Sequence, residues 1–133
     1  MKQIKKQMIR EFNMKNFDCD MMGYFKQKGD QFEAHHLIIP KRDEGKLTRL
    51  NTAVLYTTSH EYLHIIEDLE FELFGFITSE MIDMNIKGFL DRKNLIYIDD
   101  CLDYFERKYY YEKTKNGKPI IKEKYLQRHD FML

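Results

Sequence analysis

Two spacings of apolar residues alternate along this chain, and together they predict the order of its elements. From residue 3 to 14 the spacing is helical, with apolar side chains at Ile4, Met8, Ile9 and Phe12. Residues 31 to 39 instead favour an extended segment, which Pro40 ends. A charged loop containing Gly45 follows, and residues 52 to 57 suit a second short strand. The first half of the chain is therefore predicted to be helix, strand, loop and strand.

The second half of the chain is dominated by helical spacing. Thr58, with Glu61 three residues later, matches the capping-box pattern, so we expect a helix to begin at Thr58. Two further helical patterns cover residues 69 to 90, ending at about Lys87-Gly88, and residues 94 to 112. A short basic helix is expected from Ile121 to Arg128. The fold class predicted is α+β and mostly helical, with a small strand, loop, strand, helix unit embedded among additional helices.

Size and composition predict one soluble domain covering residues 1 to 133. Within it we expect the strand–strand–helix core at about 31–67, an N-terminal helix at about 3–14 and a C-terminal helical region at about 69–128. No stretch approaches the roughly 20 apolar residues of a membrane span, and the basic N-terminus does not resemble a secretory signal. Cys19 and Cys101 form no Cys-x-x-Cys pair, so we expect no disulfide framework and a cytoplasmic location.

Charge is balanced overall but unevenly distributed. The chain has 22 basic and 22 acidic residues, and its formal net charge is zero. Residues 61 to 106 carry 12 acidic and 3 basic side chains, whereas both flanking regions carry more basic than acidic ones. Basic ends that converge in space would form a phosphate-binding face, although solvated helices of other proteins show similar segregation. Charge alone leaves both interpretations open.

Four of the five histidines fall within thirty residues, as His35-His36 and His60-x-x-x-His64. On a helix, His60 and His64 share one face, so both imidazoles can bind one ion. A catalytic divalent metal typically has three protein ligands and one open position, and a fourth histidine could act as a base near neutral pH. Because neighbouring side chains on a strand face opposite sides, His35 and His36 can divide these two tasks.

Taken together, Glu33-Ala34-His35-His36, Asn51 and His60-Glu61-Tyr62-Leu63-His64 resemble the HNH (ββα-metal) endonucleases. The similarity is strongest to the colicin-type branch, whose pattern is Glu-x-His-His, then Asn, then His-x-x-x-His, and it covers residues 32 to 64. The resemblance implies a single divalent ion (Zn²⁺, Mg²⁺, Mn²⁺ or Ni²⁺) bound by His35, His60 and His64.

The same resemblance implies a role for each remaining residue of the pattern. His36 would take a proton from the attacking water, Asn51 would hold the loop and orient His36, and Glu33 would support a metal ligand. The implied activity is endonucleolytic hydrolysis of DNA, double-stranded more than single-stranded, leaving 5′-phosphate and 3′-hydroxyl ends. A phage, mobile-element or bacterial-defence setting, with an inhibitor or a larger complex as a further partner, follows from the family alone.

One departure from the family has a structural consequence. Many HNH proteins brace this unit with two Cys-x-x-Cys pairs, which this chain lacks. We therefore expect the helices after Leu69 to supply the supporting core.

Two alternative functions remain open from the sequence. In a non-enzymatic nucleic-acid- or protein-binding module, the histidines would hold a structural metal and His36 would have no catalytic role. Coordination by all four histidines would favour this alternative. A hydrolase acting on a small substrate would have an enclosed apolar pocket beside a three-histidine metal.

Two further groups of side chains could contact nucleic acid. Basic residues of the loop between the strands could contact phosphates, and an aromatic cluster could stack on bases, although its spacing favours core packing. These residues are Lys41, Arg42, Lys46 and Arg49, and Tyr109, Tyr110 and Tyr111.

Overall fold

The computed structural model describes residues 2–38, 48–111 and 121–128. Within them the chain is mostly helical with one two-stranded sheet, which confirms the α+β prediction. A π-helical turn (Arg107–Tyr111) and a 3₁₀ turn (Glu123–Leu126) follow the last long helix. The remaining elements are α1 (Lys2–Glu11), the single turn α2 (Met14–Phe17), β1 (Phe32–His36), β2 (Thr52–Tyr56), α3 (Thr57–Leu69), α4 (Phe71–Lys87) and α5 (Arg92–Glu106).

The two strands pair antiparallel and lead directly into α3, in the order expected from the sequence. In the register, His35 lies opposite Ala53 and His36 opposite Thr52. All five residues of β2 are buried, because both α1 and α3 contact this strand. At the far end of the pair, the Phe32 ring stacks on the Tyr56 ring with centroids 4.3 Å apart. The sheet thus gives β1 a rigid partner immediately beside the helix that carries His60 and His64.

The N-terminus of α3 is capped by distant carboxylates, so the predicted capping box is wrong. The helix begins at Thr57, one residue before the predicted start, and Thr58 donates both its backbone N–H and its hydroxyl to Asp30 Oδ1, at 3.1 and 2.7 Å. The buried Asp20 accepts the Tyr56 backbone N–H at 3.0 Å and the Ser59 hydroxyl. Carboxylates are favourable at this end because unpaired N–H groups and the helix dipole both attract negative charge.

Helices α4 and α5 lie after Leu69 and supply supporting core, as expected for a chain without Cys-x-x-Cys pairs. They pack against each other, and α4 also packs against α3. Gly88, with φ of 84°, ends α4 where Lys87-Gly88 predicted, and the turn leads into α5. The buried side chains of this layer include Ile77, Met81, Met84, Ile98, Leu102 and Phe105.

The bounds of several predicted helices differ from those in the structure. Helix α1 ends at Glu11 because Asn13 adopts a left-handed conformation, with φ of 55°. Helix α5, predicted at residues 94 to 112, starts at Arg92, where the Asp91 side chain accepts the Lys93 N–H. It becomes π-helical after Glu106. The basic helix expected from 121 to 128 is only a 3₁₀ turn.

The segment after that turn is held by a buried ion pair. Arg128 donates to Glu106 Oε2 at 2.6 Å and to Asp99 Oδ1 at 2.8 Å, and Tyr62 donates to the same Glu106 oxygen at 2.7 Å. Tyr62 lies on α3 between the two motif histidines. Residues 121–128 therefore bind the back of the helix that presents His60 and His64.

Among the described residues, none of the helices combines the length and the apolar character that a membrane span requires. Cys19 and Cys101 are both buried and unpaired, in agreement with the absence of a disulfide framework.

Candidate metal centre

Three of the predicted histidines converge in space. His35 Nδ1 lies 3.2 Å from His60 Nε2, and His64 Nε2 lies 3.2 Å from the same atom. One ligand nitrogen from each ring falls within 4.8 Å of the other two. Two nitrogens bound at about 2.05 Å to a tetrahedral ion lie about 3.3 Å apart, and the two 3.2 Å separations match this spacing. The structure thus confirms that His35, His60 and His64 are close enough to bind a metal.

Local geometry explains this convergence. On β1, Glu33 and His35 share one face because side chains alternate along a strand, and that face meets α3. On α3, the four-residue spacing brings the His60 and His64 rings to a centroid distance of 4.9 Å. The His35 ring lies 5.1 Å from each of them.

Each helix histidine has a carboxylate on its other ring nitrogen. His60 Nδ1–H donates to Glu33 Oε1 at 2.8 Å, and His64 Nδ1–H donates to Glu67 Oε1 at 3.2 Å. With the proton on Nδ1, both Nε2 atoms present lone pairs toward each other. Two facing lone pairs repel unless a cation lies between them, so the donor set fits a metal ion.

His35 is held in the neutral form that a metal ligand requires. Burial, assisted by the charges of His60, His64 and His36, lowers its pKa from 6.5 to about 3. Its side chain is buried, and Nε2 has no hydrogen-bond partner among the described residues. An unpaired buried polar nitrogen costs about 1–3 kcal/mol, which makes histidine a poor choice here for folding alone.

His36 stays outside the cluster. It is the last residue of β1, partly exposed, and the described residues make no side-chain hydrogen bond to its imidazole. Asn51 Oδ1 accepts the Ile38 backbone N–H at 2.7 Å, and the Asn51 carbonyl accepts the Leu37 N–H at 3.0 Å. Asn51 therefore anchors the two residues that directly follow His36.

Arg49, a candidate phosphate contact, is engaged within the fold. Its guanidinium pairs with Glu11 at 2.5 Å, donates to the Asn85 carbonyl at 3.3 Å and lies 5.5 Å from the centre of the Phe12 ring. A phosphate would have to compete with these contacts. The other loop candidates lie outside the described residues, as do Pro40 and Gly45: they are Lys41, Arg42 and Lys46.

In the tyrosine cluster, Tyr109 packs within the fold, as the helical spacing favours. The Tyr109 ring lies 4.6 Å from the Phe105 ring, and its hydroxyl donates to Glu70 Oε1 at 3.0 Å. Tyr111 is exposed and touches Tyr110 edge to face.

Two kinds of residue at this centre were not predicted from the sequence. Glu67 is three residues after His64, a spacing that alone could have identified it as a neighbour on the helix face. Asp20 and Asp30 cap α3 from a region that has no periodic pattern, so no local signal pointed to them.

Comparisons with protein-family models, with curated proteins and with solved structures found no match for this chain. The resemblance to the HNH endonucleases is carried by the residues of the pattern and by the order of the elements that hold them.

Proposed function

We propose that this chain is a metal-dependent endonuclease of the HNH type that hydrolyses phosphodiester bonds in DNA. One observation carries the proposal: on a strand, strand, helix unit, three histidines converge and the fourth is left out. Two contacts support the roles that the resemblance implies for Glu33 and Asn51: Glu33 lies 2.8 Å from His60 Nδ1, and Asn51 accepts the backbone N–H of Ile38, two residues after His36.

The donor set favours a first-row transition metal. Three imidazole ligands suit Zn²⁺ or Ni²⁺, whereas Mg²⁺ and Mn²⁺ prefer oxygen ligands. When bound, such an ion would neutralise phosphate charge and stabilise the departing 3′-oxygen.

The residues of this chain supply the proton transfer and the positioning. His36 would accept a proton from the attacking water, because its imidazole is accessible and is not a member of the ligand cluster. Asn51 would hold the backbone that follows His36, through its hydrogen bond with the Ile38 N–H. Glu33 would hold His60 with Nε2 toward the ion.

The geometry bears on both alternatives. A structural metal held by four histidines is not favoured, since the cluster among the described residues contains three. A hydrolase of small substrates would place an apolar cavity beside the metal. The apolar hollow of about 410 Å³ lined by Phe12, Phe17 and Phe89 includes none of the three histidines.

The test is a plasmid-nicking assay in EDTA and with Zn²⁺, Ni²⁺, Mn²⁺ or Mg²⁺. The parent should cut, His35→Ala should lose both cutting and metal binding, and His36→Ala should lose cutting alone. Removal of a general base should slow cutting by about 100-fold or more. A parent that cuts neither DNA nor RNA with any of the four metals would refute the proposal.

A further inference from the structure

The second carboxylate of the metal centre has no counterpart in the sequence pattern. Glu67 Oε1 lies 3.2 Å from His64 Nδ1, on the same helix and three residues further along. This contact mirrors the one between Glu33 and His60, where the carboxylate comes from the facing strand. Both contacts involve the nitrogen that points away from the cluster.

His64 needs such a partner more than the other two ligands do. The exposed fraction of its side chain is 51%, against 21% for His60, and His35 is buried. Packing therefore restricts the His64 ring least, and the ring can rotate or exchange its proton between the two nitrogens. One hydrogen bond accepted from Nδ1–H fixes both the orientation and the tautomer of the His64 ring.

We propose that Glu67 is a positioning residue of this metal site, which holds His64 with its proton on Nδ1 and its Nε2 lone pair toward the ion. This inference rests on the metal site of the proposed function. Glu67 is not itself a member of the ligand cluster. Its carboxylate acts through His64, and with Glu33 it places one negative charge behind each helix ligand.

Asp68 provides a matched control. It is acidic, exposed and four residues after His64, so it shares the helix neighbourhood and the charge of Glu67. Within the described chain Asp68 makes no hydrogen bond to His64. Removal of the Asp68 carboxylate changes the charge near the site by the same amount but leaves the hydrogen bond that sets the His64 tautomer in place.

The experiment measures metal affinity rather than cutting. Zn²⁺ competition with a chromogenic chelator and Co²⁺ absorption spectra are recorded for the parent, Glu67→Ala, Glu67→Gln and Asp68→Ala. Loss of a hydrogen-bond partner on a metal-bound histidine weakens binding by about 10- to 100-fold, and the exposure of this pair favours about tenfold for Glu67→Ala. The Gln variant should stay within about threefold of the parent, because its carbonyl still accepts Nδ1–H. Asp68→Ala should bind like the parent.

Two further readouts separate positioning from folding and from direct ligation. An exposed ion pair contributes little stability, so all variants should melt within about 4 °C of the parent. Nitrogen-detected NMR of the Zn²⁺-loaded protein should show Nε2 coordination of His64 in the parent and in Glu67→Gln.

The outcomes distinguish the two proposals. Unchanged Zn²⁺ affinity in Glu67→Ala would overturn the role of Glu67 and leave the metal site standing. Failure of Gln to rescue, with an altered Co²⁺ spectrum, would overturn it by showing that Glu67 is itself a ligand. A parent that binds neither Zn²⁺ nor Co²⁺ would overturn the metal site and this inference together. A parent that binds metal but cuts no nucleic acid would refute only the nuclease.

Discussion

The buried His35 imidazole makes the metal-free protein sensitive to acid. Its pKa is about 3 in the folded chain and 6.5 when unperturbed, chiefly because burial disfavours the charged form. Between these two values the unfolded chain binds a proton at this position that the folded chain does not. Stability therefore rises with pH across this window, and the contribution is complete above pH 6.5.

The size of the effect follows from the same two values. Each pH unit below 6.5 removes about 1.4 kcal/mol, so the folded state loses about 2 kcal/mol from this residue by pH 5. That loss is a large part of the roughly 5–15 kcal/mol by which domains are stable.

Urea unfolding in EDTA at pH 5, 6 and 7 measures this contribution. The parent is compared with His35→Gln, which has an uncharged side chain of similar size. The free energy of unfolding should fall between pH 7 and pH 5 by about 2 kcal/mol more in the parent than in the variant. Equal pH dependence in the two proteins would refute the conclusion that His35 is held neutral by burial.

Three further predictions concern the residues that hold the site in place. Arg128→Ala leaves Glu106 buried without its cation, so urea unfolding should show a loss of about 3–5 kcal/mol in the free energy of unfolding. A loss below about 1 kcal/mol would contradict a stabilising buried pair. Asp30→Ala removes the cap of α3 and should cost about 1–2 kcal/mol by the same measurement, whereas Asp30→Asn retains an acceptor and should cost less than half of that. Asn51→Ala should accelerate amide hydrogen exchange at Ile38, since that N–H loses its acceptor, and unchanged protection there would show that the side chain does not anchor the strand end.

Several features of the site were predictable because they depend on short spacings. The four-residue separation of His60 and His64 ensures a shared helix face, and strand alternation puts Glu33 and His35 on one side of β1. The alternation of apolar spacings also predicted that two strands precede α3. That the two faces meet, with nitrogens 3.2 Å apart, required the paired strands and the packing of α3 on them.

By itself the sequence determined the kind of elements, their order and the histidines that could share a metal, because periodicity and ligand spacing are local properties. Only the tertiary structure decided which distant charged groups cap and brace the helix that carries His60 and His64. The N-terminus of α3 is capped by Asp30, which lies 28 residues before Thr58, and not by the expected Glu61. Arg128 pairs with Glu106, which lies 22 residues earlier. A charge pairs with whatever group the folded chain brings near it, and for residues more than 20 positions apart the sequence separation carries no information about that distance.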